Sequence, residues 1–161
     1  DFLKKPHAFP VTSVGDGDSF AGRLDERLPA AKDFSDLAFA LRGLPPSVNR
    51  LELFGFLGGR RDHELVNFGE VHKFLASRPS AMAHFHQDSL ISAVAFTGYL
   101  ELEMQGLFSV VAFAPANVNI SGDCEYNFEG QLAPVSSHGL SNMGRGRVTL
   151  TSPSPLFVFL N

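Results

Sequence analysis

Arg50-Leu51-Glu52-Leu53-Phe54-Gly55-Phe56-Leu57-Gly58-Gly59-Arg60-Arg61-Asp62-His63-Glu64-Leu65-Val66-Asn67 is the stretch on which the reading of this chain turns. Arg50 to Phe56 reads as a buried strand and Gly58-Gly59 as a tight turn. Asp62 to Leu75 reads as a helix, with Leu65, Phe68, His72 and Leu75 repeating on one face. A strand that passes through a glycine turn into a helix presents backbone N–H groups and the positive end of the helix dipole at one place, the architecture that holds phosphate. Arg60 beside the turn can fork onto phosphate oxygens.

Two acidic clusters lie upstream. Phe9 to Val14 is β-prone and runs into Gly15-Asp16-Gly17-Asp18-Ser19, so both aspartates emerge at the C-terminal end of a strand, where open α/β sheets bind ligands. Asp33-Phe34-Ser35-Asp36 leads into Leu37, Ala40, Leu41 and Leu44 at helical spacing. Asp33 or Ser35 caps that helix, and Gly43 with Pro45-Pro46 ends it. Carboxylates at such positions are hard oxygen ligands for Mg²⁺, and the glycines admit phosphate to the backbone. Taken singly, the first cluster is an ordinary turn and the second an ordinary helix cap. Order and spacing make the three together a magnesium–nucleotide site.

After Ser77-Arg78-Pro79-Ser80 the pattern becomes short β-type runs: Ala81–His86, Leu90–Phe96, Tyr99–Gln105, Phe108–Ala112, Gln131–Val135, Arg147–Thr151 and Leu156–Leu160. In Tyr99–Gln105, Leu100, Leu102 and Met104 face in while Glu101 and Glu103 face out. Strands at this spacing predict a sandwich. The chain thus divides into an α/β half, residues 1–87, and an all-β half, residues 88–161.

Composition bounds the function. A chain of 161 residues with 44% hydrophobic content buries a real core, and the sixteen Phe with no Trp read mostly as packing. Net charge is −4 with scattered basic residues, which gives no footprint for nucleic acid or an anionic membrane. No apolar run approaches the roughly 20 residues of a spanning helix, and Asp1 to Phe9 lacks a secretory stretch. The single cysteine, Cys124, excludes an internal disulfide and fits a reducing compartment, so the expected location is cytoplasmic. Its acidic neighbours raise rather than lower a thiol pKa, against a nucleophile role. His84 and His86 share one strand face without a third ligand, and read as surface histidines rather than a metal pair. His72 reads as a core or interface residue.

With these motifs in order, the chain resembles the thiamine pyrophosphokinase (thiamine diphosphokinase) family. The family's G-D-x-D-S motif stands as Gly15 to Ser19, and its D-x-T-D-L motif as Asp33 to Leu37 with Ser35 for the threonine. Its G-x-x-G-G-R-x-D-H-x-x-x-N signature is complete in Gly55, Gly58, Gly59, Arg60, Asp62, His63 and Asn67. Gly139-Leu140-Ser141-Asn142, with Gly144 and Gly146, is similar to its thiamine-binding S-N segment, Pro155–Leu160 resembles its terminal strand, and Tyr126 stands at an aromatic position. The family's opening A-D-G-G-A-N motif has no match. The expectation is therefore a Rossmann-like α/β catalytic domain lacking its first strand through loss of an upstream segment, followed by an antiparallel β-sandwich.

The resemblance implies transfer of pyrophosphate from ATP to the hydroxyethyl oxygen of thiamine, giving thiamine diphosphate and AMP. Such transfer works by positioning and charge neutralisation. Asp16, Asp18 and Asp36 are the candidate Mg²⁺ ligands; Ser19, Ser35, Gly58, Gly59, Arg60 and Asn67 are the candidate nucleotide contacts. Asp62 either joins the metal shell or holds Arg60, and His63 either serves as base or orients the loop. Ser141, Asn142 and Tyr126 are the thiamine candidates, completing the site across a homodimer. The alternatives are a related ATP-dependent pyrophosphokinase with another acceptor, such as a hydroxymethylpterin, and a non-catalytic thiamine or thiamine diphosphate-binding protein.

Overall fold

Strand–helix alternation gives way to long antiparallel strands in the structure, a computed structural model that describes residues 10–18 and 22–161. Its contacts divide it into two compact units, Asp1–Leu44 and Pro45–Asn161. Among the described residues the chain is mixed α/β, with two α-helices and a six-stranded mixed sheet.

In the first unit, β1 (Val14–Gly15) pairs in parallel with β2 (Glu26–Arg27). Two residues a side make a weak ladder, and a side-chain clasp supports it: Ser13 donates through N–H and hydroxyl to Asp25 Oδ2, each at 2.7 Å. α1 (Asp36–Gly43) begins where its cap predicts, because the Ser35 hydroxyl accepts from Ala38 N–H at 3.1 Å. Leu37, Ala38 and Leu41 form its buried face. The β-prone run from Phe9 yields only Val14–Gly15 as strand among the described residues, and Phe9 itself lies outside them.

In the second unit, β3 (Arg50–Phe54) and β4 (Met82–Gln87) are parallel neighbours joined through α2 (Arg61–Ala76), a βαβ unit. β4 then pairs antiparallel with β5 (Leu90–Ala112), and the sheet continues through β8 (Asn142–Leu160), β6 (Ala116–Cys124) and β7 (Phe128–Leu132). Val71, Phe74 and Leu75 are the buried residues of α2, and the Phe68 ring lies 4.8 Å from Phe85 and 5.4 Å from Phe159. The expected helix face is thereby corrected: Leu65 is 61% exposed, because burial begins only at the turn of Phe68. Phe113 against Phe157 extends this aromatic core. His72 is half-buried, with a buried Nδ1 lacking a hydrogen bond and a pKa lowered by burial.

The expected runs Leu90–Phe96, Tyr99–Gln105 and Phe108–Ala112 fuse into the single strand β5. Gly98 (φ +86°) and Gly106 (φ +126°) let the chain bend where a side chain would resist, so the breaks in the sequence become bends in one strand. β8 likewise joins Arg147–Thr151 to Leu156–Leu160. Its Pro153 and Pro155 sit in the gap between Gly98↔Ser152 and Phe96↔Leu156, where no ladder hydrogen bond is asked of them. The C-terminal part of β8 pairs with both ends of β5, at Ala93↔Phe159 and Ser109↔Phe159, so β5 wraps around it. Leu100 and Met104 face in as expected. β7 lies three residues before the expected Gln131–Val135 run, and β6 is an addition: Ala116, Val118 and Ile120 alternate inward, but the intervening asparagines disguise the pattern.

Candidate functional site

The first unit brings two of the proposed metal ligands together. Asp16 follows directly on β1, and its Oδ1 accepts from Asp18 N–H at 3.2 Å, which fixes the carboxylate within the turn. Its other oxygen, Oδ2, lies 3.1 Å from the ammonium of Lys32, and Asp36 Oδ1 lies 3.0 Å from that same nitrogen. Two carboxylates from separate elements thus converge on one cation. Gly15 makes room for this, since a Cβ there would meet Asp36 Oδ2 at 3.1 Å. At Gly17 (φ +81°) a Cβ would meet the Arg27 guanidinium at 3.1 Å, so arginine and acidic turn pack closely. The Asp18 carboxylate is exposed outside this convergence, and Ser19 lies outside the described residues. Asp16 is held below the usual carboxylate pKa by the Asp18 N–H and then by Lys32, while Lys32 is raised chiefly by the Asp36 carboxylate beside it.

Lys32 was not singled out by the sequence reading, and since it stands in the loop before α1 its four-residue spacing from Asp36 is no helix-face signal. Its side chain is only 9% exposed. Asp36 Oδ1 is buried and makes no properly directed hydrogen bond despite the nearby ammonium. Such an oxygen keeps a lone pair that a hard cation can take. Among the described residues no three His, Cys, Asp or Glu side chains form a metal-holding group. Two carboxylates fit Mg²⁺ nevertheless, because that ion completes its shell with water and substrate phosphate.

The second unit supplies the glycine turn. Gly55 (φ +79°) and Gly58 (φ +83°) shape the link from β3 to α2, and Asn67 Nδ2 donates to Phe56 O at 3.3 Å, tying helix to loop. Arg60 grips Asp62 with two hydrogen bonds, the Nε one at 3.2 Å. The pair is solvent-exposed, and each member stabilises the charge of the other: Asp62 is lowered first by Arg60, and Arg60 raised first by Asp62. His63 stands exposed on the first turn of α2. The N–H groups of Gly58 and Gly59 both donate to Glu64 Oε1, the latter at 3.0 Å. Glu64 was also missed from the sequence; an anion from the protein itself occupies the two amides that the motif assigns to phosphate.

Two of the three thiamine candidates, Tyr126 and Asn142, line a cleft of about 360 Å³ together with Ile120, Phe128, Leu132 and Leu140 among others, and Ser141 is not part of its lining. Asn142 is buried and works inward: Oδ1 accepts from the N–H groups of Tyr126 (3.0 Å) and Met143 (2.8 Å), while Nδ2 donates to Tyr126 O at 2.7 Å. It therefore clamps the loop whose Tyr126 ring stands 60% exposed. Ser141, at φ +60°, is exposed and its N–H donates to Ser109 Oγ. Cys124 Sγ faces Tyr126 O and Asn127 Oδ1, its thiol pKa pushed up first by burial.

A further charged group lies on β3 and β4. Glu52 receives His84 Nδ1 on Oε1 (2.9 Å), His86 Nε2 on Oε2 (2.6 Å) and Arg50 Nε on Oε1 (2.9 Å), and His86 stacks on Phe54 at 4.1 Å. The two histidines are thus hydrogen-bond partners of Glu52 rather than free surface groups.

No sequence-family model matches the chain, and no curated protein matches it. Solved structures do match in fold. Thiamine pyrophosphokinase from Bacillus subtilis superposes with a TM-score of 0.68 at 20% identity, over 94% of this chain and 79% of that one. Thiamin pyrophosphokinase from Geobacillus thermodenitrificans gives 0.63 at 19%, over 94% and 78%. A thiamin pyrophosphokinase family protein from Enterococcus faecalis gives 0.61 at 18%, over 91% and 78%. The resemblance read from the motifs therefore holds for the fold. No helix among the described residues is long and apolar enough to cross a membrane.

Proposed function

We propose that this chain is a thiamine diphosphokinase, moving the pyrophosphoryl group of ATP to the hydroxyethyl oxygen of thiamine to give thiamine diphosphate and AMP. The observation that carries the reading is the convergence of Asp16 and Asp36 on a single cation, at a strand end and a helix N-terminus, in a chain with this fold. Both aspartates belong to the acidic motifs that prompted the resemblance. They would hold Mg²⁺, with Asp18 completing or orienting the shell; the ion, when bound, neutralises charge on the phosphates.

The remaining roles fall to this chain's own groups. Arg60, aimed by Asp62, binds phosphate oxygens, and the Gly58 and Gly59 amides cradle them once Glu64 leaves. Ser35 keeps its hydroxyl proton for a phosphate oxygen while capping α1, Ser19 of the Gly15–Ser19 motif is a further nucleotide contact, and Asn67 braces the loop. His63 is the candidate base. Tyr126 offers a stacking face for the cationic ring system, held by Asn142, with Ser141 as a polar anchor. In this reading residues 1–87 form the Rossmann-like nucleotide domain, residues 88–161 the β-sandwich, and a homodimer joins the two across subunits.

The test is AMP release from Mg-ATP with and without thiamine, with thiamine diphosphate identified by chromatography. Thiamine-dependent AMP is the expected result. One observation favours a second reading, a non-catalytic binder of thiamine: Lys32 already lies between Asp16 and Asp36, and Glu64 already takes the Gly58 and Gly59 amides. Thiamine binding by calorimetry without any turnover would establish that reading in place of the first. Turnover with a hydroxymethylpterin but not thiamine would reassign the acceptor.

A further inference from the structure

We propose that Lys32 is the built-in counter-ion of the cation site, holding Asp16 and Asp36 together while no metal is bound and giving way when one binds, so that this lysine sets the site's metal affinity. The inference rests on Asp16 and Asp36 being the metal ligands. Its support lies in the geometry of one nitrogen. Lys32 Nζ is 3.1 Å from Asp16 Oδ2 and 3.0 Å from Asp36 Oδ1, on a side chain nine-tenths withdrawn from water. Without a positive charge between them, the two carboxylates repel and would swing apart.

The arrangement is preorganised for a cation. Asp16 is aimed by the Asp18 N–H on its far oxygen, and Gly15 admits Asp36 to close range. The ammonium satisfies charge without satisfying direction, since Asp36 Oδ1 is buried yet lacks a well-formed hydrogen bond. Asp16 and Asp36 would hold a divalent ion, which would bring a second positive charge to the pair. Lys32, freed, would remain a cation on a flexible four-carbon stem beside the site, able to follow the phosphates. Its role is positioning: it acts through the two aspartates.

The experiment is Mn²⁺ and Mg²⁺ binding by calorimetry with thermal unfolding in chelator and in metal, on the whole chain, for wild type, Lys32→Met and Lys32→Gln. Both variants should melt lower in chelator, bind Mn²⁺ roughly tenfold or more tightly, because ligand charge sets affinity, and gain more in melting temperature from metal than wild type does. Adding Asp16→Asn should abolish the tightening. A lysine that merely props the fold would lower the melting temperature without raising metal affinity, and equal or weaker Mn²⁺ binding by the variants overturns the proposal. Should Lys32→Met not fold, Lys32→Gln decides alone. Metal binding by none of the proteins overturns it too. Tightened Mn²⁺ binding without thiamine-dependent AMP would leave it standing and sink the kinase.

Discussion

Two charge clusters in this molecule are near inversions of each other. Around Lys32 one ammonium lies between two carboxylates; around Glu52 one carboxylate lies among two imidazoles and a guanidinium. The difference lies in valency and in backbone. Glu52 stands on a strand, with His84 as its register partner and His86 two residues on, so parallel pairing alone assembles the cluster, and both carboxylate oxygens are taken. Asp16 and Asp36 come from a turn and a helix start, on glycine-made room, and one buried oxygen remains without a directed hydrogen bond. A saturated cluster stabilises a sheet. An unsaturated one on loops is available to a ligand.

Substitution separates the two most sharply. Asp36→Asn should cut thiamine-dependent AMP formation by about 10²-fold or more, the scale for removing one preorganised charge-stabilising group. The Ser35 cap and the burial of Leu37 remain, so thermal unfolding should show α1 intact. Full activity in Asp36→Asn would erase the distinction between the clusters. Glu52→Gln should do the opposite. It should leave turnover within about twofold and cost stability of about 1 kcal/mol, a charged hydrogen-bond network discounted for the one-third exposure of Glu52.

The pH dependence sharpens the contrast. Burial alone would raise Glu52, but hydrogen bonds from His86, His84 and Arg50 outweigh it and hold the carboxyl at about 2, against 4.5 when unfolded. Since the folded value is the lower, its stabilisation is complete above pH 4.5 and is lost as pH falls from there toward 2. Urea denaturation of wild type and Glu52→Gln should therefore converge through that window; parallel curves would break the assignment. The smallest effect belongs to Glu64→Gln. Weakening the anion on the Gly58 and Gly59 amides should tighten ATP binding about threefold to tenfold, read by calorimetry, provided those amides meet phosphate. Looser binding would make Glu64 a brace of the loop instead.

Much of this was legible in the residues. Ser35 caps α1, α2 starts within a residue of its expected beginning, and Leu100 and Met104 alternate inward, because caps and hydrophobic period act over neighbouring residues. The joining of separate β runs into β5 and β8 was hidden, since glycine and proline mark a break and a bend with the same residues. β6 was hidden because Asn117 and Asn119 speak against strand, and only its neighbours β7 and β8 supply the hydrogen bonds that override them. The site was legible by motif and not by partner. Asp16, Asp36, Arg60 and Asp62 were named, whereas Lys32 and Glu64, which meet those motifs, were not.

The amino-acid order by itself determined where chain turns, caps and acidic motifs lie, because those depend on φ preferences and on side chains a few residues apart. Tertiary structure alone decided which charges meet: that Asp16 shares a cation with Asp36, that Glu52 binds two histidines more than thirty residues away, and that Asn142 faces Tyr126 rather than solvent. Such meetings are set by packing and strand register, and the energy of a charge depends on what lies within a few ångströms of it rather than on its place in the chain.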